Sequence, residues 1–341
     1  MLSIQEVSPS DQAAIGDLVT VLNAAADHDR PGWPPATPRA AYVWRANPYP
    51  GREGEDYVAY LDGEPVGRLE LGFTTLDNLN SAHFRIDVVP AHRRKGVGRK
   101  LYDLMVERVK AKGRNAVMST TMWSLPGIET HDGGAGPAFA AAVGLENANL
   151  AEVMRRLDLS TVDDAALDAL SAKAQEKSAG YRLVQWKNHA PEELLADIAY
   201  LDGRLLADAP TGDLAIEPEN VDADRVRRSD EIGVIHGRSG YHTGAVHEET
   251  GRLVAWTTLS TQPGETPWHA WQFITIVDPD HRGHRLGALV KVANLRYFRQ
   301  HEPQVKVIDT GNAAENSYMI AINEDMGFRP KWAMQNWQRD L

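Results

Sequence analysis

Two ten-residue stretches of this chain are versions of one another. VPAHRRKGVG (residues 89–98) follows the apolar run FRIDV, and DPDHRGHRLG (residues 278–287) follows the apolar run FITIV. Val88 maps onto Val277, Pro90 onto Pro279, Arg93 onto Arg282 and Gly98 onto Gly287, all at one offset of 189 residues. The flanks repeat too. Upstream lie two β-rich runs joined by a short turn, YVAYLDGEPVGRLELGF (residues 57–73) and GAVHEETGRLVAWTTLS (residues 244–260). Downstream, Leu101, Leu104, Met105 and Val109 recur at helical spacing, as do Leu289, Val292, Leu295 and Phe298. A fixed period in strands, turns and helices together means two copies of one folded module.

Each half opens with a strand and an amphipathic helix, and each half ends in a short helix and one more strand, the last being WAMQNWQRDL. Between them, STVDDAALDALSAKAQEKSAG reads as a polar linking helix with Gly180 at its end. The expected architecture is α+β: an N-terminal module over residues 1–160, a linking helix over 161–180 and a C-terminal module over 181–341, each a central mixed sheet flanked by helices. A length of 341 residues fits two domains.

Composition narrows the function classes. With no cysteine, disulfides, thiolate nucleophiles and zinc–thiolate sites are excluded. A net charge of −11 argues against a broad nucleic-acid surface. No apolar run approaches the roughly 20 residues that span a bilayer, and the first residues lack a signal-peptide pattern, so a cytoplasmic protein is expected. His236, His242 and His247 form no metal constellation, the last two being on opposite faces of a strand, and no metal is expected.

Within this acidic chain the two turns concentrate positive charge: Arg93, Arg94, Lys95 and Arg99, then His281, Arg282, His284 and Arg285. A strand, a basic glycine-containing turn and a helix together cradle phosphate, through free amides and the positive end of the helix dipole. Neither a G-x-G-x-x-G fingerprint nor a P-loop is present. The copies differ where Gly96 is replaced by Arg285, for which an ordinary helical φ is expected.

V-V-P-A-H-R-R-K-G-V-G (residues 88–98) resembles the acyl-CoA-binding motif of the GNAT N-acetyltransferase superfamily, and NSYMIAINEDMGF (residues 316–328) resembles its last motif. The tandem layout is similar to that of mycothiol synthases. The resemblance implies that Val88, Val89, Arg93, Arg94, Lys95, Gly96, Val97, Gly98 and Arg99 hold the CoA phosphates and arm. In the second half the equivalents are Val277, Arg282, Gly283, His284, Arg285, Leu286 and Gly287, with Asn312 and Asn316 contacting the CoA arm. Strands of the family splay here, so the backbone at Val88 or Val277 pairs with pantetheine, and such an N–H stabilises the tetrahedral oxyanion.

The departures fall at the family's general acid. The Tyr four residues before Gly-Phe is Asn323 in the second half and Ala140 in the first, and Gly133 stands where the first half would carry its Asn. Tyr318 is the alternative acid, either reaching the sulfur or packed between helix and sheet. His269, Asp87 and Asp309 lie where a base would act on an ammonium group, or else make structural hydrogen bonds. The expected activity is transfer of acetyl from acetyl-CoA to a small-molecule amine by direct attack, with no nucleic-acid or membrane partner. A non-catalytic acyl-CoA sensor, or an enzyme with a carrier-protein thioester as donor, shares the same fold.

Overall fold

The computed structural model describes residues 1–261 and 266–341. In chain order the first elements are β1 (Leu2–Glu6), α1 (Gln12–Asp29), α2 (Pro38–Ala46), β2 (Arg52–Leu61), β3 (Glu64–Thr74), β4 (Ser81–Val88), α3 (Val97–Ala111), β5 (Ala116–Trp123), α4 (Ala135–Ala142) and β6 (Glu146–Asp158). There follow α5 (Asp164–Gln175), β7 (Tyr181–Lys187), α6 (Leu195–Gly203), α7 (Leu205–Asp208), α8 (Ala223–Ile235) and β8 (Gly240–His247). The last are β9 (Leu253–Thr261), β10 (His269–Val277), α9 (Leu286–His301), β11 (Val307–Ala313), α10 (Ser317–Asp325) and β12 (Arg329–Asp340). No helix among the described residues is long and apolar enough to cross a membrane.

The chain divides into two compact units. The first comprises Met1–Glu152, Thr211–Ile216 and Trp332–Leu341; the second comprises Val153–Pro210 and Glu217–Lys331. In the first unit the strands run β1-β2-β3-β4-β5-β12, antiparallel except for β4 against β5. In the second the order is β11-β10-β9-β8-β7, with the Val153–Asp158 part of β6 beside β11 and β10 parallel to β11. The α+β class with a mixed sheet is as expected.

The boundaries differ from those expected at 160 and 180. The last strand does not close the second half: β12 pairs with β5 from Ala333↔Trp123 to Asp340↔Ala116, inside the first unit. The end of β6 goes the other way. Helix α5 is no free linker, since Leu167, Leu170 and Ala174 join the core formed under α9 by Leu289, Val292 and Phe298. A two-residue alternation marks a strand and its buried face, but it does not name the neighbouring strand.

Each unit places its repeated helix on the sheet. Val97, Leu101, Met105 and Val109 of α3 repeat every four residues and are buried with Leu69, Leu71 and Phe73 of β3. Fully burying side chains of this size contributes roughly 1.5–3 kcal/mol each. The β2–β3 hairpin turns at Asp62 and Gly63, both at positive φ (52° and 89°), the pairing of strand twist and turn that a two-residue hairpin favours.

Candidate active site

Both copies of the basic turn follow one backbone path. Strand β4 runs into a single 3₁₀ turn at Pro90–His92 and β10 into another at Pro279–His281; Arg93 (φ −64°, ψ 156°) and Arg282 (φ −70°, ψ 162°) then return to extended backbone. Two left-handed residues follow in each copy: Arg94 (φ 63°) and Gly96 (φ 84°), then Gly283 (φ 86°) and Arg285 (φ 55°). Glycine has moved from one left-handed position to the other, so each copy has one glycine and one arginine there. The helical φ expected at Arg285 is thus corrected. A left-handed residue with a Cβ crowds the following carbonyl, at a cost of about 1–2 kcal/mol. Arg285→Gly is therefore expected to raise stability by up to about 1 kcal/mol, part of the gain being offset by the freer unfolded chain, while CoA affinity is kept. Chemical denaturation and CoA titration of the variant check both halves of this expectation.

The helices that follow the turns have no side-chain cap. By contrast α1, α2, α5, α8 and α10 are capped by Asp11, Thr37, Asp163, Asp222 and Asn316. The first amide to find a helical carbonyl is that of Lys100 in α3 and Leu289 in α9. The amides before them face outward at the positive end of the dipole, which is the arrangement that takes up phosphate. Arg94, Lys95 and Arg285 have no side-chain hydrogen bond among the described residues, whereas their neighbours are already engaged. Arg93 bonds Asp29 at 2.7 Å and the Val88 carbonyl at 3.1 Å, and Arg282 bonds Asp208 at 3.0 Å. Arg99 bonds the Ala142 carbonyl at 2.8 Å, and His284 meets the Lys177 carbonyl at 3.1 Å.

Next to each turn the sheet opens. Strands β4 and β5 pair from Ser81↔Ala116 to His83↔Met118 and then part; β10 and β11 pair from His269↔Val307 to Trp271↔Asp309 and then part. At each parting a hydroxyl of the diverging strand donates to a carbonyl of the other: Ser119 to Phe84 at 2.8 Å, and Thr310 to Gln272 at 3.1 Å. The Val89 amide donates to Val66 and the Asp278 amide to Val254, towards the antiparallel neighbour. Alternation along a strand then directs the N–H and C=O of Val88 and Val277 into the opening. The units differ at this point. The Val88 carbonyl accepts from Arg93, whereas the Val277 carbonyl has no side-chain partner among the described residues. A β-bulge between Gln272 and Thr275 also bends β10, and β4 has an unbroken register with β3.

The remaining expected residues are spread over different roles. Asn316 caps α10 through the Met319 amide (3.2 Å). Asn323 is fully buried and donates to Asn312 at 2.6 Å, so the position of the family's acid is filled by a structural amide. Tyr318 is 87% exposed, so the packed alternative is corrected. His269 is fully buried with Nε2 2.8 Å from Asp309, which also takes two 2.7 Å bonds from Arg156. Burial tends to raise the Asp309 carboxyl, but hydrogen bonds from Arg156 and His269 hold it below the usual range. Asp87 is likewise locked by Arg68 (2.8 Å) and Arg85 (3.0 Å), and these guanidiniums outweigh burial and lower its carboxyl. His269, Asp87 and Asp309 are thus each engaged in structural hydrogen bonds beside the opening. In the first unit Asp132 caps the helix that follows Gly133 and Gly134, through the Gly134 and Gly136 amides (2.9 and 3.0 Å).

The Asp202 carboxyl on α6 is pushed up to about 6 by burial and by Glu219, against the pull of Arg225, and no motif marks it. The three histidines considered for a metal lie apart in role: His242 is stacked on Trp186 at 5.1 Å, and burial lowers its imidazole to about 3.

The acetyltransferase (GNAT) family model matches residues 18–131. No curated protein matches the chain. A tandem GNAT protein from the clavulanic acid biosynthesis pathway is 30% identical with a TM-score of 0.83, over 100% of this chain and 98% of that one. A GCN5-related N-acetyltransferase from Sphaerobacter thermophilus is 14% identical, with a TM-score of 0.65 over 99% and 95% of the two chains. The N-myristoyltransferase of Saccharomyces cerevisiae, solved with bound myristoyl-CoA, is 11% identical with a TM-score of 0.60 over 99% and 80%. At the lower identities the likeness is one of fold. With a family model matching residues 18–131 and 30% identity along nearly all of a tandem relative, the chain belongs to the GNAT acetyltransferase family, in its tandem form.

Proposed function

We infer that the second unit transfers acetyl, or a similar short acyl group, from a CoA thioester to an amine of a small molecule. The observation that carries this is the uncapped α9 turn leading into an opening edged by the unoccupied Val277 backbone. The CoA phosphates lie on the amides of 283–288, and pantetheine adds as a short strand along Val277. The neutral amine attacks the thioester carbon in a ternary complex, after losing its proton to water. The Val277 N–H stabilises the oxyanion, the attacking nitrogen gives up its extra proton to water, the C–S bond breaks, and the thiolate takes a proton. Tyr318, exposed at the start of α10, is the phenol available for that proton. The first unit, with its Val88 carbonyl already taken, serves in binding.

Glycines at the start of each helix separate the two units in an experiment. A Cβ on Gly287 would lie 3.4 Å from Ile322 and 3.7 Å from Val277, and one on Gly98 would lie 3.2 Å from Phe139. Gly287→Leu is expected to lower thiol release from acetyl-CoA at least about 100-fold, with Tyr318→Phe lowering kcat at unchanged CoA affinity. Gly98→Leu should leave turnover within about threefold. Loss of turnover in Gly98→Leu alone would move catalysis to the first unit. A second reading, an acyl-CoA sensor, is favoured by the buried Asn323 and Ala140 at the acid positions. It requires CoA-dependent thermal stabilisation with no thiol release across an amine panel.

A further inference from the structure

On the first unit's sheet, Leu69, Leu71, Phe84 and Ile86 pack under α3. The residues alternating with them, Arg68, Glu70, Arg85 and Asp87, face the side of α1 and α2. Five guanidiniums and four carboxylates meet there. Arg45 pairs with Asp56 (2.5 Å), Arg68 with Glu70 (2.6 Å) and Asp87 (2.8 Å), Arg85 with Asp87 (3.0 Å), and Arg93 with Asp29 (2.7 Å). Arg30 is the one left over. It is 7% exposed, and its guanidinium has no hydrogen-bond acceptor among the described residues. Its one side-chain contact of note is the Trp33 ring, 4.3 Å away, and Trp33 in turn meets Trp332 edge-on at 5.6 Å. Burial, then Arg85, lower it to about 9.

A guanidinium carries five donors in a fixed fork, and burying it without an acceptor is unfavourable. A cation–π contact satisfies none of those donors. Polar groups left unpaired in a protein interior call for a ligand or other explanation, and here the five guanidiniums outnumber the four carboxylates by one. Arg85, with its side chain 37% exposed, and the half-exposed Trp33 form the open edge. In the second unit Trp256 pairs with Ile276 as Arg68 pairs with Asp87, and that face carries Thr258 and Ile274 with no matching charges.

We propose that the first unit holds a site for a small organic monocarboxylate, its carboxylate bridging Arg30 and Arg85 and its apolar body lying on the Trp33 indole. A single negative charge balances the cluster, the fork matches carboxylate geometry, and the paired indoles suit an aromatic or apolar body. The probe is applied without CoA, so the test does not depend on acyl transfer.

The probe is phenylacetate, added at millimolar concentration and constant ionic strength to the full chain. It is expected to raise the melting temperature by about 2–4 °C and to change tryptophan fluorescence, with phenylacetamide and inorganic phosphate doing neither. Arg30→Met should abolish both effects while melting higher than the wild type in the absence of probe. Arg30→Lys keeps the charge but not the fork and should bind phenylacetate about tenfold more weakly; it decides the matter if the methionine variant fails to fold. No shift with phenylacetate, an equal shift with phenylacetamide or phosphate, or unchanged binding in the Arg30 variants would each overturn the site. Neither result bears on thiol release, so this proposal and the acyl-transfer reading fail independently.

Discussion

Replacing Lys291 with methionine is expected to stabilise the protein by about 2–4 kcal/mol at pH 7, a large part of an ordinary domain's stability. Lys291 lies on α9 and is 1% exposed. It has no hydrogen-bond or ion-pair partner among the described residues, and its ammonium lies 5.6 Å from the Phe328 ring centre. Burial pushes it down to about 7 from an ordinary 10.5. An amine lowered in this way binds its proton less tightly in the folded than in the unfolded chain. The cost is therefore complete below pH 7, shrinks as pH rises from 7 towards 10.5, and vanishes above that, where neither state is protonated. Methionine fills a similar volume without the charge, and the lost cation–π contact with Phe328 offsets part of the gain. Urea unfolding at pH 6, 8 and 10 should show the gap between variant and wild type closing with pH. A gap that stays constant, or a variant less stable than the wild type, would mean that Lys291 keeps its proton in the folded chain. The repeat makes the substitution informative: the equivalent of Lys291 in the first unit is Tyr102, whose ring meets Phe139 of α4 edge-on. There the polar end reaches Arg339 at 3.0 Å, whereas Lys291 ends on a ring face.

The duplicated strand–turn–helix is legible in the sequence because everything it needs is local. Residues 81–111 and 269–301 show an apolar run, a basic glycine turn and a four-residue apolar period, and each feature is set by neighbours in the chain. The Asn316 cap and the Asp62–Gly63 turn are legible for the same reason. Partner choice is not local. The alternation in β12 marks a strand, but nothing within it says that the strand pairs with β5 of the first unit. The turn itself shows an intermediate case. Aligning Gly96 with Arg285 suggests an ordinary replacement; reading Arg94 and Gly283 alongside them shows that glycine changed places while both left-handed positions stayed. The ionised groups Arg30, Lys291 and Asp202 carry no sequence signal, because a charge is ordinary in sequence and unusual only when tertiary packing takes its solvent away. Tyr318 is the reverse case, an aromatic whose sequence context suggests a core and whose neighbours leave it in water.

Asp309→Ala is expected to cost about 3–5 kcal/mol, because it strands the buried His269 and the partly buried Arg156 at once. Arg156 of β6 gives Asp309 two 2.7 Å bonds and His269 of β10 a third at 2.8 Å, and neither His269 nor Asp309 is exposed. The carboxylate therefore ties three adjacent strands at Trp271↔Asp309, the last rung before β10 and β11 part. Without it the Arg156 charge and the imidazole lose their acceptor, and the width of the opening loses its fixed edge. Asp309→Asn keeps the shape and one acceptor oxygen, so about half that loss is expected. The sign of the pH dependence follows from the depressed carboxyl: the stabilisation is complete at neutral pH, above the ordinary carboxylate range, and fades as pH falls through and below about 4. The wild type should thus lose its advantage over Asp309→Ala on acidification, which denaturant midpoints at pH 7 and pH 3.5 would show. The folded fraction of Asp309→Asn, measured in the cold, should bind CoA more weakly in proportion to its loosened opening, whereas a purely structural tie would leave affinity untouched. A loss below about 1 kcal/mol in Asp309→Ala would show that the hydroxyl clamp from Thr310 to Gln272 holds the parting strands unaided.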